Sequence, residues 1–249
     1  MENNDITQPD VSNIYYYLNT VNYDFRYVSP DWNNFNFSAG VNGMYQNSQN
    51  KGTLLLIPEY NLFDLGAFAI ANKKIGNLNL SGGIRFDNRQ FKGHDDYVDS
   101  MGNQLPATDP NAMHKFVAYN SNFSGLSGSI GATYQFSYGV YLKANVGSGF
   151  RAPNVAESGS DGIHDGTVVY EIGQPNLKPE SSLEFDITPG IKTKDFSLEL
   201  SFFSNSVSNF IYPKQLLGSN GSDSIRNVSG FPGAPVFFIY TRECSVDRR

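Results

Sequence analysis

The residues with the chemistry to bind or react gather in two places. His94, Asp95, Asp96 and Asp99 form one stretch, and Asp161, His164 and Asp165 form another. Imidazole and carboxylate groups at that spacing could hold a divalent cation or touch a metal chelate. The same residues also suit a solvated acidic loop and a polar, Gly-containing turn, and these plainer readings are favoured. His114 stands apart. Cys244 is the single cysteine, so the chain can make no internal disulfide, Cys-based zinc site or CxxC redox pair. No Ser/His/Asp spacing suggests a hydrolase, and no Gly-rich strand–helix element suggests a phosphate cradle. Gly147-Ser148-Gly149-Phe150 reads as the end of a strand. No catalytic residue, resident metal or cofactor is assigned.

The elements that would carry these loops have a simple period. From Ile14 to Val28, Tyr15, Tyr17, Val21, Tyr23, Phe25 and Tyr27 alternate with polar residues such as Thr20, Asn22, Asp24 and Arg26. That is a strand with one apolar face. The pattern returns over Asn34–Gln46, less cleanly over Tyr60–Asn72 with Asp64 inside, and again over Asn77–Phe91. Later segments run over Leu126–Phe136, Val140–Val146, Leu183–Ile191 and Phe196–Phe202. A ninth, shorter segment covers Pro235–Thr241. No segment has a helical period, so almost no helix is expected.

Composition narrows the class. The 249 residues are 39% hydrophobic, 17% charged and 14% aromatic. That aromatic share does not suit a disordered chain. A net charge of −6 argues against a general nucleic-acid binder. The longest apolar runs, Leu65–Ala71 and Thr53–Ile57, are far short of a spanning helix. The polar start, MENNDITQPD, is not a secretory signal. A transmembrane β-barrel escapes both membrane tests because its strands alternate.

Strand length and connections decide between such a barrel and a soluble sandwich. Segments of about 12–17 residues span roughly 40–55 Å, enough to cross a bilayer at a tilt. Short connections (Ser29–Asn33, Ile75–Gly76, Ser137–Tyr138, Thr193–Asp195) alternate with long ones (Asn47–Glu59, Lys92–Lys115, Arg151–Pro179, Lys214–Gly233). Outer-membrane barrels have this signature, whereas a Greek-key sandwich has no reason to show it. The apolar face would then meet lipid and the polar face would line the lumen. Tyr15, Tyr17, Tyr27, Tyr45 and Tyr60 near strand ends suit an interfacial girdle, and equally suit Tyr as a strand former.

The expected fold is all-β: an antiparallel up-and-down meander of about nine long strands, part of an unclosed transmembrane barrel. An odd strand count departs from bacterial single-chain barrels. Residues 1–13 read as a polar N-terminal segment, 14–241 as partial barrel, and 242–249 as an aberrant tail that breaks the alternation. The chain is therefore expected to be a piece of a longer barrel.

Two motifs in the third long connection carry a family resemblance. Gly149-Phe150-Arg151-Ala152-Pro153-Asn154-Val155-Ala156-Glu157 resembles the GFRAPNxxE segment of TonB-dependent outer-membrane receptors. Gly173-Gln174-Pro175-Asn176-Leu177-Lys178-Pro179-Glu180-Ser181-Ser182 resembles their GNPNLKPExS segment. The two occur in the family's order, between two strands, and the resemblance extends to about Tyr240. The physical sense of the motifs is structural. Pro153 removes a ladder donor, and Pro175 and Pro179 favour an extended entry into the next strand. Arg151 with Glu157, and Lys178 with Glu180, are candidate ion pairs.

The resemblance implies a parent protein of the bacterial outer membrane that imports a scarce ligand. A ferric siderophore is the first choice, with haem, cobalamin and oligosaccharides open. It also implies outer-membrane lipid and TonB as partners, an N-terminal plug domain not found here, and no enzyme activity. His94, Asp95, Asp96, His164 and Asp165 become candidate ligand-facing residues. The rival readings are another outer-membrane barrel (a porin or lipid transporter), a barrel phospholipase or protease, and a soluble β-rich adhesin-like domain.

Overall fold

Two-residue alternation becomes nine long strands. The computed structural model describes residues 14–164, 166–218, 221–228 and 231–248. The strands are β1 (Tyr16–Val28), β2 (Phe35–Asn50), β3 (Tyr60–Ile75), β4 (Leu78–Gly93), β5 (Tyr119–Gln135), β6 (Val140–Arg151), β7 (Glu180–Lys192), β8 (Phe202–Gln215) and β9 (Phe231–Arg248). Each pairs antiparallel with its predecessor, so spatial order follows chain order. This is the expected all-β meander. Among the described residues β1 and β9 do not pair with each other, so the sheet is open. Among the described residues, helix is confined to α1 (Val155–Gly159) and a single 3-10 turn at Ser137–Gly139. Residues 1–13 lie outside the described residues.

The register sorts the side chains into two faces. Phe25 stands opposite Val41, Val41 opposite Ala67, Ala67 opposite Phe86, and Phe86 opposite Leu126. This apolar row has no protein layer over it: Phe25 is 70% exposed, Ile84 59% and Ile130 67%. Apolar surface on this scale marks a surface made for another apolar phase, here the lipid side of a barrel strand. The other face is polar, and a groove of about 580 Å³ crosses it from Arg26 to Glu184. Arg89 makes a two-point bond to Asp64 at 2.8 and 2.7 Å, and Arg85 bonds both Asp87 and Asn42. Arg89 and Asp64 neutralise each other across neighbouring strands, and Arg85 and Asp87 do so within β4, as a polar wall requires.

Burial concentrates at the end of the sheet that carries the long connections. Leu55, Val98 and Phe116 form one small cluster, and Tyr60, Leu62 and Phe91 another. Ile163, Tyr170, Ala234 and Val236 form a third, and Leu177, Ile211 and Ile239 a fourth. The opposite rim turns tightly. Gly76 closes the β3–β4 hairpin at φ 56°, a conformation without penalty for glycine.

Several boundaries differ from the sequence reading, each for a local reason. Tyr60 is buried on the polar face and bonds Gln46, so it is not part of an outward girdle. The segment expected over Phe196–Phe202 is interrupted: Ser197–Glu199 pairs with β7, pairing lapses at Leu200 and Ser201, and β8 resumes in the same register. Pro189 accords with this gap. It accepts from Leu200 N at 3.1 Å but has no N–H to return. The second long connection has strands of its own at Asp96–Val98, Gln104–Leu105 and Met113–Phe116. The ninth strand, expected to end at Thr241, continues to Arg248 along β8. Ladder bonds are made by backbone, so loss of side-chain alternation does not end a strand whose neighbour still offers partners.

A charge on the apolar face should be far more costly than one on the polar face. Ile84→Arg is expected to lose about 2–4 kcal/mol of folding free energy in lipid vesicles, and Ser129→Arg clearly less. Folded yield in vesicles against urea concentration measures both, and equal costs would contradict the assignment of faces.

Candidate functional site

The third long connection leaves β6 at Arg151 and re-enters the sheet at Glu180, which stand opposite each other. Arg151 grips Glu180 with Nε and Nη2, at 2.6 and 2.7 Å. Its Nη1 reaches both oxygens of Glu157, at 3.1 and 2.9 Å. One guanidinium fork thus holds two carboxylates that lie 23 positions apart in the chain. Asn154 and Glu157 form a reciprocal capping box: Glu157 N donates to Asn154 Oδ1 and Asn154 N to Glu157 Oε2. This satisfies the start of a helix too short to stand alone.

The second motif folds back onto the first. Gly173 N donates to Ser160 O, and Gln174 N to Glu157 O. A side chain at Gly173 would collide with the backbone of residues 158–160, which explains the glycine. Leu177 is buried against Ile211 and Ile239. Pro153 is also fully buried. Ala152, Pro175, Asn176 and Pro179 complete the turns between these anchors, and Asn209 Nδ2 donates to Pro179 O at 3.2 Å. A β-bulge between Val207 and Phe210, with Asn209 at φ 56°, shifts the β8 register beside the motif. Nearby, Ile211 N donates to Glu180 Oε1. Glu180 therefore pairs with Arg151 and β8, and not with Lys178 as its sequence position suggested.

The scattered loop residues do not converge. Asn61 Nδ2 lies 2.8 Å from His94 Nε2. Asp95 Oδ1 lies 2.8 Å from His114 Nε2 and accepts from Ala118 N. The Ala118 N–H, and then His114, hold the Asp95 carboxyl below the usual range. His114 stacks flat on Tyr97 at 4.4 Å. Asp96 is buried and accepts from Glu59 N, so it fastens the second long connection to the entry of β3 instead of facing a ligand. Burial pushes its carboxyl above the usual range; the bond from Glu59 N opposes this, and the Glu59 charge adds to it. Asp99 closes its own turn, accepting from Met101 N and Asn103 N. His164 Nδ1 lies 3.0 Å from Glu171 Oε1, and Asp165 lies outside the described residues. Among the described residues, no three His, Cys, Asp or Glu side chains are placed to hold a metal ion.

A different group does converge. Asp161, Tyr170, Lys115 and Arg226 come from three connections. Tyr170 Oη donates to Asp161 Oδ1 at 2.7 Å, Lys115 Nζ lies 3.3 Å from Asp161 Oδ2, and Arg226 Nη1 3.7 Å from Oδ1. The Arg226 guanidinium sits 4.4 Å over the Tyr170 ring. Burial, then the bond to Asp161, push the Tyr170 phenol well above its ordinary value.

Comparison with known proteins places this architecture. Residues 3–241 match the family model "TonB dependent receptor-like, beta-barrel". The chain belongs to the TonB-dependent receptor family. Its members are outer-membrane β-barrels, receptors and transporters and not enzymes. No curated protein matches the chain. Among solved structures it is similar to a double mutant of the hemophore receptor HasR of Serratia marcescens in complex with its hemophore HasA and heme, at TM-score 0.65 and 15% identity over 92% of this chain and 38% of that one. It is similar to the copper transporter OprC at TM-score 0.63 and 16% identity, over 92% and 34% of the two chains. It is similar to the FrpB iron transporter from Neisseria meningitidis at TM-score 0.58 and 15% identity, over 91% and 31%. At these identities the likeness is one of fold. The chain spans about a third of the length of these TonB-dependent receptors.

Sequence reasoning found both motifs of this TonB-dependent receptor wall and the pair Arg151–Glu157. It missed the Arg151–Glu180 bond, since residues so far apart in sequence meet only through strand register. It also missed Lys115 and Arg226, which carry no motif.

Arg151→Lys should not rescue the clasp, because an ammonium cannot serve two carboxylates in a fork. Both Arg151→Gln and Arg151→Lys are expected to cost about 2 kcal/mol and to hasten proteolytic cutting within 152–179. Urea unfolding and timed proteinase K digestion in detergent measure the two effects. Asp96→Asn keeps an acceptor for Glu59 N. Because the folded-state pKa of Asp96 is raised, its contribution is fully present below the ordinary value of 3.8 and is lost as pH rises through the raised value. The variant should therefore be more stable than the wild type at pH 7, with the gain vanishing below pH 3.8, as thermal melts at the two pH values will show.

Proposed function

We propose that this chain is part of the wall of a receptor that imports a scarce ligand across a bacterial outer membrane, in a TonB-coupled step. A ferric siderophore is the first candidate ligand. The observation that carries the reading is the pair of opposed faces on strands of 12–18 residues, in a chain that belongs to this family. The apolar face meets membrane lipid, and the polar face, with its Asp64–Arg89 and Arg85–Asp87 pairs, faces the aqueous interior. The long connections lie on the outer side, where loops of such barrels are long. His94, Asp95 and His164 sit on those connections and are candidates for ligand contact, as is Asp165 by its place in the sequence.

The clasp at Arg151 serves this function by position. Gating and capture need loops held at a defined place relative to a rigid wall. Arg151, Glu157 and Glu180 hold the third connection at both its ends. Three structural neighbours are described as taking heme through a hemophore, copper and iron. All three cargoes contain a metal, which favours a metal-bearing cargo here.

The test is uptake by whole cells. A strain lacking its own ferric-siderophore receptors, and carrying the complete gene, should accumulate radioactive iron supplied as ferric siderophores. Accumulation should vanish when TonB is deleted. Equal uptake without TonB would refute energy coupling. Uptake of haem or cobalamin with none of ferric siderophores would refute the siderophore assignment and name the ligand instead.

A further inference from the structure

Outside the polar wall and the clasp, the long-loop rim contains a second concavity. It has a volume of about 340 Å³. Leu55, Val98 and Ile163 supply its apolar lining, each buried and each from a different connection. Lys115, Tyr170 and Asn227 are its polar lining on one side. Arg226 lies beside them, stacked over Tyr170.

Lys115 and Arg226 share the single carboxylate of Asp161, and at 3.3 and 3.7 Å neither makes the close contact that Arg151 makes with Glu180. Asp161 is further occupied by the Tyr170 hydroxyl. Lys115 Nζ is otherwise held over two rings, 5.4 Å from the Phe116 centroid and 5.8 Å from that of Tyr170. A second carboxylate, Asp99, also lines the cavity, and its oxygens accept from Met101 N, Asn103 N and Asn103 Nδ2. Lys115 and Arg226 thus have one shared carboxylate between them beside a largely apolar cavity, while Asp99 is bonded within its own turn.

We propose that this cavity binds a small organic monocarboxylate, with its apolar body between Leu55, Val98 and Ile163 and its carboxylate on Lys115 and Arg226. The volume sets the size. Ligand pockets run from about 300 to 1,000 Å³, and this one is at the low end. It suits a single-ring or short-chain acid. Cations beside apolar walls favour an anion with an apolar body over a free inorganic ion, because the charge gains an ion pair and the body gains burial. The site lies on the loops rather than on the polar wall, so it stands or falls independently of which cargo the receptor imports.

The experiment uses the whole chain folded in detergent and 4-fluorobenzoate as the probe, followed by fluorine NMR line broadening. Saturable binding is expected, with 4-fluorobenzyl alcohol binding at least tenfold more weakly. Lys115→Gln and Arg226→Gln should each weaken binding at least fivefold, and Arg226→Lys less than threefold. Asp161→Asn removes the internal competitor and keeps an acceptor for Tyr170. It should tighten binding at least threefold, a gain that misfolding cannot produce. No saturable binding, equal binding of the alcohol, or weaker binding by Asp161→Asn would each overturn the proposal. Iron uptake by cells carrying Asp161→Asn separates this site from the cargo: unchanged uptake together with tighter fluorobenzoate binding supports two separate sites, and competition of fluorobenzoate with ferric siderophore uptake would refute their separation.

Discussion

A sheet one layer thick has no interior, and every other feature of this protein follows from that. Each strand must satisfy its backbone through its neighbours and must present two chemically different faces. In lipid an unmet N–H or C=O costs several kcal/mol, so the ladder between strands carries the structure. The side chains then only have to match their surroundings. Phe25, Ile84, Leu126 and Ile130 remain exposed because lipid takes the place of a core. Asp64, Arg85, Asp87 and Arg89 pair because a polar wall with uncompensated charges would repel itself.

Packing of the familiar kind appears where the long connections fold onto the sheet. There the chain makes four small apolar clusters. Long connections are entropically costly to order, and each is fastened near its ends. Glu59 and Asp96 tie the first to the second; Arg151, Glu157 and Glu180 tie the third to the wall. The two proline positions show the same economy at the scale of one bond. Pro153 sits where the ladder stops and the clasp begins, while Pro189 leaves a gap that one hydroxyl bridge, Thr188 to Ser201, spans.

The fold was legible in the sequence, and the site only in part. Strand positions, the two faces and the alternation of short and long connections all follow from a period of two, because side chains on a strand point alternately to opposite sides. The motifs around Arg151 and Pro175 could be recognised as structural from their prolines and their paired charges. Asp96 and Lys178 show the limit. Asp96 sits among acidic residues that look solvated, yet it is buried. Lys178 looks like the partner of Glu180, yet Arg151 takes that place.

By itself, then, the sequence determined that this chain is an all-β meander with one face for lipid and one for water, and it offered Arg151 and Glu157 as an ion pair in the third long connection. Period and turn chemistry are local, and local patterns survive in one dimension. The tertiary structure alone decided which carboxylate meets Arg151, where β9 continues beyond Thr241, and that Lys115, Tyr170 and Arg226 share Asp161. Those outcomes depend on register and on the packing of separate connections, and neither is written in the spacing of neighbouring residues.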